Sequence, residues 1–70
     1  MLNETDILIL RAMFRNNLRA YRVAKDLFYA RSTVDYHIYR IKEITGLDCR
    51  DFYDAIKLLE IYGEETNHGC

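Results

Sequence analysis

The stretch from Ala20 to Gly46 constrains the fold of this 70-residue chain more than any other part of it. Small, apolar or threonine residues recur there at intervals of three and four, the spacing of one face of an amphipathic helix. The first set comprises Ala20, Val23, Ala24 and Leu27. The second set comprises Val34, Ile38, Ile41 and Thr45. Because only a short break, residues 28–31, separates the two patterns, the sequence predicts two helices that cross steeply.

A steep crossing of two helices after a short turn is typical of a helix-turn-helix. Ala24 is small enough to let the second helix approach the first, and Leu27 fills the angle between them. The second helix of such a motif lies in the major groove of duplex DNA, with its N-terminal residues at the base edges. We therefore expect the helix from about Ser32 to Thr45 to be the recognition helix of a sequence-specific transcription regulator.

Length and composition fit one all-α domain. Half of the residues are hydrophobic, proline is absent, and no strand pattern is visible. We expect four short helices, over residues 4–16, from between 18 and 20 to about 28, over 32–45, and over 51–62. The expected helix-turn-helix domain spans residues 1–63, and residues 64–70 are expected to form a frayed tail.

Local signals predict the ends and the inward faces of these helices. Asn3 with Asp6, and Ser32 with Asp35, have the spacing of capping boxes. Gly46 is free to adopt the left-handed backbone that ends a helix. The expected inward face of helix one carries Ile7, Leu10 and Phe14, widened by Ile9 and Met13. The expected inward face of helix four carries Phe52, Ala55, Ile56, Leu59 and Tyr62.

Charge is divided unevenly along the chain, whose net charge is −1. Residues 1–42 hold eight basic and four acidic side chains, a net charge of +4. Residues 43–70 hold two basic and seven acidic side chains, a net charge of −5. Positive charge therefore surrounds the predicted reading unit, as DNA binding requires, although charges also scatter over the surfaces of small helical proteins.

One face of the predicted recognition helix carries polar and aromatic side chains opposite its apolar stripe. The base-contact candidates are Arg31, Thr33, Tyr36 and His37. The phosphate-contact candidates are Arg19, Arg22, Lys25 and Arg40. Arginine bridges O6 and N7 of guanine, and cationic side chains outside the groove neutralise phosphates. The alternative for this face is a solvated helix surface whose two aromatic rings contact a partner.

Asp35 places a negative charge beside these candidates. Its role in the predicted capping box accounts for it without any function. The other interpretation is that its carboxylate accepts a hydrogen bond from cytosine N4.

A helical protein–protein interaction module with weak or no DNA binding is the rival function. The net charge of −1 favours it, and so do apolar or aromatic side chains expected on the surface. These are Leu8, Tyr39, Tyr53 and Ile61.

The sequence argues against an enzyme, a metal site and a cofactor. The histidines and cysteines lack the paired spacing of zinc ligands, and no glycine-rich phosphate loop occurs. No apolar run reaches the roughly 18 residues of a membrane span, and no signal peptide is visible. Two isolated cysteines, Cys49 and Cys70, do not make a disulfide framework, so we expect a reduced, cytoplasmic setting.

Residues from about Ala24 to Leu59 resemble the C-terminal helix-turn-helix domain of PucR-type regulators, a family that includes the sugar-diacid regulators. That domain is similar to the DNA-binding end of the nucleoid protein Fis. The resemblance rests on Ala24, Leu27-Phe28, Arg31, Thr33-Val34, Tyr36, Ile38, Arg40-Ile41 and Ile44-Thr45-Gly46-Leu47-Asp48. It implies sequence-specific DNA binding, usually by a dimer, with Arg31, Thr33 and Tyr36 reading the bases.

The chain departs from that family at the reading tip. The family usually has histidine, asparagine and arginine where this chain has Ala30, Ser32 and Asp35, and arginine in place of His37. PucR-type regulators also carry an upstream sensory region, so the expectation from this sequence is a stand-alone small protein. A homodimer is expected because one helix-turn-helix contacts only one half-site.

Overall fold

The structure, a computed structural model, describes residues 1–62 and consists of four α helices. They are α1 (Glu4–Arg15), α2 (Ala20–Leu27), α3 (Arg31–Thr45) and α4 (Phe52–Tyr62). No strand occurs within these 62 residues, which confirms the predicted all-α class. The predicted tail, residues 64–70, lies outside the described part of the chain.

The start of α1 is confirmed as a capping box. The Asp6 amide donates to the side-chain oxygen of Asn3 over 2.8 Å, and the Asn3 amide donates back to Asp6 Oδ2 over 3.1 Å. The helix ends at Arg15, one residue before the predicted end. Asn17 and Leu18 then take positive φ angles of 56° and 62°, which turns the chain sharply into α2.

The turn between α2 and α3 is built around Phe28. This residue takes a left-handed conformation with φ 60°, although its ring is 93% exposed. The next amide, of Tyr29, donates to the Ala24 carbonyl over 2.9 Å and closes the end of α2. Only residues 28–30 separate the two helices, so the predicted helix-turn-helix connection is present.

The predicted start of α3 is wrong. The helix begins at Arg31, with Ala30 as its N-cap, and no side chain caps it. Asp35 accepts a hydrogen bond from Arg31 instead of closing a box with Ser32. Because α3 already includes Ser32 as its second residue, this side chain does not lie at the N-cap position, and Asp35 pairs on the helix surface with Arg31, one turn earlier. The predicted end is confirmed, because Gly46 has φ 79°.

The core lies between α1, α2 and α3, and α4 packs onto α1. The largest fully buried apolar side chains are Ile9, Leu10, Met13, Ile41, Leu58, Val23 and Val34. In α1, Ile9 and Met13 are more deeply buried than Ile7 and Phe14, so the core face is rotated relative to the predicted one.

The predicted inward face of α4 is wrong in three of its five residues. Ala55 and Leu58 are the buried pair, with Tyr62 partly buried beside them. Phe52, Ile56 and Leu59 are exposed. Because α4 has apolar residues on most of its circumference, periodicity alone does not distinguish the two faces. Asp51 precedes the helix and accepts from the Asp54 amide over 3.0 Å, as an N-cap does.

Candidate nucleic-acid interface

The N-terminal half of α3 carries two of the base-contact candidates on its exposed side, while the opposite side of the same turns packs in the core. Val34 and Ile38 are buried. On the exposed side, Tyr36 is 58% accessible and the Arg31 side chain is 56% accessible. These two side chains can therefore reach a ligand while the backbone that carries them is held by packing.

The outward face of α3 differs from the predicted one. The exposed residues opposite Val34, Ile38 and Ile41 are Ser32, Tyr36, Tyr39 and Glu43. Thr33, His37 and Arg40 lie on the flank of that face, where they are only partly exposed. The predicted outward face is therefore rotated around the helix axis, by roughly one residue step, towards the buried face.

Asp6 of α1 anchors the middle of α3 through two of these candidates. Its side chain is fully buried. His37 Nδ1 lies 2.6 Å from Oδ1 of Asp6, and Arg40 donates from Nη2 to Oδ2 over 2.9 Å. Arg40 Nε is 3.2 Å from both carboxylate oxygens. Because Oδ2 also accepts the Asn3 amide, one carboxylate joins the start of α1 to α3.

The electrostatics of this cluster favour the charged forms. Burial alone would raise the pKa of Asp6, but hydrogen bonds from Arg40, His37 and the Asn3 amide lower it to about 2. Hydrogen bonding to Asp6 raises the pKa of Arg40 above its ordinary value. Asp6 is therefore ionised at neutral pH and its charge is balanced at short range by Arg40.

Tyr36 belongs to the edge of the same cluster. Its ring meets the His37 ring edge to face, with centroids 5.2 Å apart. Its hydroxyl is close enough to Arg40 to contribute to the raised pKa of that guanidinium. The structure therefore brings together three of the predicted DNA contacts, Tyr36, His37 and Arg40.

Sequence reasoning missed this role of Asp6 and assigned it only to the helix cap. A signal for it exists in the sequence. Asp6 lies one turn before Ile9 and Leu10, so it points to the core side of α1, where a carboxylate needs a charged partner. Which partner it finds depends on the packing of α3, 31 to 34 residues later in the chain.

The exposed side of α2 carries the remaining phosphate-contact candidates. A groove of about 560 Å³ is lined by Arg15, Asn16, Tyr21, Arg22, Lys25 and Asp26. Asp26 accepts from Arg15 over 3.0 Å and from Asn16 over 3.1 Å, which ties α2 to the end of α1. Hydrogen bonding with Arg22 and then with Arg19 lowers the pKa of Tyr21. Arg19, at the N-cap of α2, and Arg22 and Lys25, within the helix, are all exposed.

Other chemistries find little support among residues 1–62. No group of three or more potential metal-ligating side chains occurs in that part of the chain. Cys49 is buried, and burial, with the nearby Asp48 charge, raises its pKa to about 12, so it is a protonated core residue at neutral pH. No helix there is long and apolar enough to cross a membrane.

Comparisons with known proteins agree with the helix-turn-helix assignment. The PucR C-terminal helix-turn-helix domain family matches residues 7–59. The carbohydrate diacid regulator of Escherichia coli (strain K12) is 43% identical over 49 residues, which are 70% of this chain and 13% of the regulator. The chain thus spans about an eighth of that relative's length. No solved structure matches the chain at a significant level. The matched residues include the whole of α2 and α3 and all eight DNA-contact candidates, and the chain belongs to the PucR C-terminal helix-turn-helix family.

Proposed function

We propose that this chain binds duplex DNA sequence-specifically, as a transcription regulator that acts in the cytoplasm, and that it is not an enzyme. The observation that carries the proposal is the N-terminal half of α3. It presents Arg31 and Tyr36 to solvent while Val34 and Ile38 fix the same turns in the core. A major groove about 12 Å wide admits such a helix, and its exposed N-terminal residues then meet the base edges.

The candidate residues divide into readers and supports. Arg31 reads guanine, and Tyr36 with Thr33 contacts neighbouring base edges or phosphates. Arg19, Arg22 and Lys25 on α2 contact the phosphate backbone. His37 and Arg40, whose side chains are only 13% and 30% exposed, hold α3 against Asp6 and contact DNA only at their exposed edges.

We also propose that the active form is a homodimer. One helix-turn-helix contacts one half-site, whereas a two-fold dimer places two recognition helices about 34 Å apart, one turn of duplex. Exposed apolar residues of α4 offer a surface for this contact, namely Phe52, Ile56 and Leu59. Phe52 and Ile56 border a groove of about 270 Å³ that Phe14 and Leu18 also line. Sedimentation should give a mass near twice 8.4 kDa, and the melting temperature should rise with protein concentration. A monomer with a concentration-independent melting temperature contradicts the dimer.

DNA binding is tested by fluorescence anisotropy with a labelled duplex enriched from a random pool, over roughly 50 to 200 mM salt. Arg31→Ala should cost about 1–3 kcal/mol on the enriched duplex and relax its base preference. Lys25→Ala should weaken binding to all duplexes evenly and reduce the salt slope by about 1. Lys57→Ala, at an exposed position of α4, is the control and should change neither the base preference nor the salt slope. Salt-independent binding, or no change in Arg31→Ala, contradicts the proposal.

A protein–protein interaction module is the second candidate function. The exposed apolar side chains of α1 and α4 favour it, because Leu8, Tyr53 and Ile61 are all accessible, as the sequence predicts. A pull-down from bacterial lysate, with and without nuclease, separates the two candidates. Specific partners that persist after nuclease support the module, and partners that disappear contradict it.

A further inference from the structure

Asp35 lies one turn after Arg31 at the proposed reading tip, and its negative charge there needs an explanation. Its side chain is 48% exposed, and Arg31 Nε donates to its Oδ1 over 3.1 Å. A carboxylate at this position repels the phosphates on either side of a groove. For a helix that enters the groove, Asp35 is thus an electrostatic disadvantage unless it contributes to recognition.

Stability does not account for Asp35. It caps nothing, because α3 begins at Arg31 and no side chain bonds to its first amides. An exposed ion pair between residues i and i+4 adds little to the stability of a helix. The acidic side chain therefore does little for the isolated fold.

The geometry of the ion pair suits guanine recognition. The guanidinium is planar and presents its donors in a fixed fork. Asp35 bonds to Nε of Arg31, so the edge of the guanidinium formed by Nη1 and Nη2 points away from the ion pair. The two donors on that edge match the O6 and N7 acceptors of guanine. The pair also removes much of the rotamer freedom that a long arginine side chain would lose on binding.

Resting on the proposed function, we propose that Asp35 is a specificity-determining residue. It holds the Arg31 guanidinium in position for guanine, its second oxygen accepts a hydrogen bond from the N4 amine of a neighbouring cytosine, and its charge weakens binding to duplexes that offer neither contact. Asp35 thus lowers non-specific affinity and raises the ratio of specific to non-specific binding.

The experiment compares the full 70-residue chain with Asp35→Asn, which keeps the shape of the side chain and removes its charge. Glu43→Gln is the matched control, because Glu43 is also exposed on α3 and the change in charge is the same. Each protein is titrated by anisotropy against three duplexes of about 30 base pairs. One is enriched by the wild-type chain, the second has the Arg31-dependent G·C pair replaced by A·T, and the third is a scrambled duplex.

Asp35→Asn should tighten binding to the scrambled duplex and lower the preference for the enriched duplex by about tenfold, within the range measured for single base contacts. Glu43→Gln should shift all three affinities by a similar factor. In an Arg31→Ala background, Asp35→Asn should no longer change the preference for G·C over A·T, because the guanidinium that it positions is gone.

Two results overturn the inference, and they are distinguishable. If the wild-type chain selects a duplex but Asp35→Asn changes the three affinities only as Glu43→Gln does, Asp35 merely contributes net charge and the proposed function stands. If the wild-type chain shows no salt-dependent binding to any duplex, the proposed function fails and the role of Asp35 fails with it. Circular dichroism melting of Asp35→Asn shows that a lost preference is not lost folding.

Discussion

Each half of α3 contributes an arginine to an ion pair with a carboxylate, and the two pairs differ in their burial and in the groups around them. In the C-terminal half, Arg40 meets a fully buried Asp6, which also bonds to His37 and accepts a hydrogen bond from the Asn3 amide. In the N-terminal half, Arg31 meets Asp35 on the surface, and both side chains are about half exposed. The buried pair holds the helix in place, and the exposed pair leaves its groups accessible to a ligand. Burial, more than the chemistry of the pair, therefore decides which arginine supports the fold and which stays accessible to a ligand.

The largest expected effect is on the buried pair. Asp6→Ala leaves the Arg40 charge without its buried partner and removes the reciprocal bond of the capping box, so the free energy of unfolding should fall by about 3–5 kcal/mol. Urea unfolding followed by circular dichroism measures the loss. A loss below about 1 kcal/mol would mean that water replaces the carboxylate easily, and the contrast between the two halves would disappear.

The next largest effect is expected in acid, which should weaken the buried pair. The pKa of Asp6 is lowered from 3.8 to about 2, so its contribution is complete above pH 3.8 and is lost as the pH falls towards 2. The shift corresponds to about 2 kcal/mol. Stability measured from pH 6 to pH 2 should fall less steeply in Asp6→Asn than in the wild-type chain. Equal slopes in the two proteins contradict the prediction.

The end of α3 tests how firmly its C-terminal half is fixed. Gly46 has φ 79°, and among the described residues no atom lies within 4 Å of a Cβ built there. Gly46→Ala should therefore cost about 1 kcal/mol through backbone strain alone. Gly46→Asn should cost less, because asparagine tolerates the left-handed region. Equal losses in the two variants would show that something other than φ limits this position.

The smallest effect on stability is expected at the exposed pair. Asp35→Ala should change the free energy of unfolding by less than about 0.5 kcal/mol, since an exposed i, i+4 pair contributes no more than that. Thermal melts at low and high salt measure it. A loss comparable to that of Asp6→Ala would show that the exposed pair also supports the fold.

Prediction from the sequence succeeded where local rules decide the structure. The spacing around Ala24 and Ile38, the cap at Asn3 and the glycine at 46 correctly gave the four helices and the short turn of the motif. These features depend on residues within one or two turns of each other, so a single sequence contains the necessary information.

The sequence failed where two similar local solutions compete or where distant residues meet. Ser32 with Asp35 and Arg31 with Asp35 are both plausible pairs at the start of α3, and only the second forms. Either side of α4 is apolar enough to face the core, and Leu58 is buried rather than Leu59. The contact of Asp6 with His37 and Arg40 depends on the angle between α1 and α3, which periodicity does not specify. The positions of the reading candidates on α3 follow from the same packing.

Asp6 both takes part in the capping box of α1 and binds α3, and this double role affects how the two helices unfold locally. The first turn of a helix usually frays, and its amides exchange with solvent through small local fluctuations. In this chain the Asp6 amide is held by Asn3, and the Asp6 carboxylate holds both the Asn3 amide and α3. Releasing the first turn of α1 therefore also costs α3 its contacts with Asp6, so we expect the two segments to open together. The terminal turn of α1 should be protected from hydrogen exchange nearly as well as the core, and the recognition helix shares that protection.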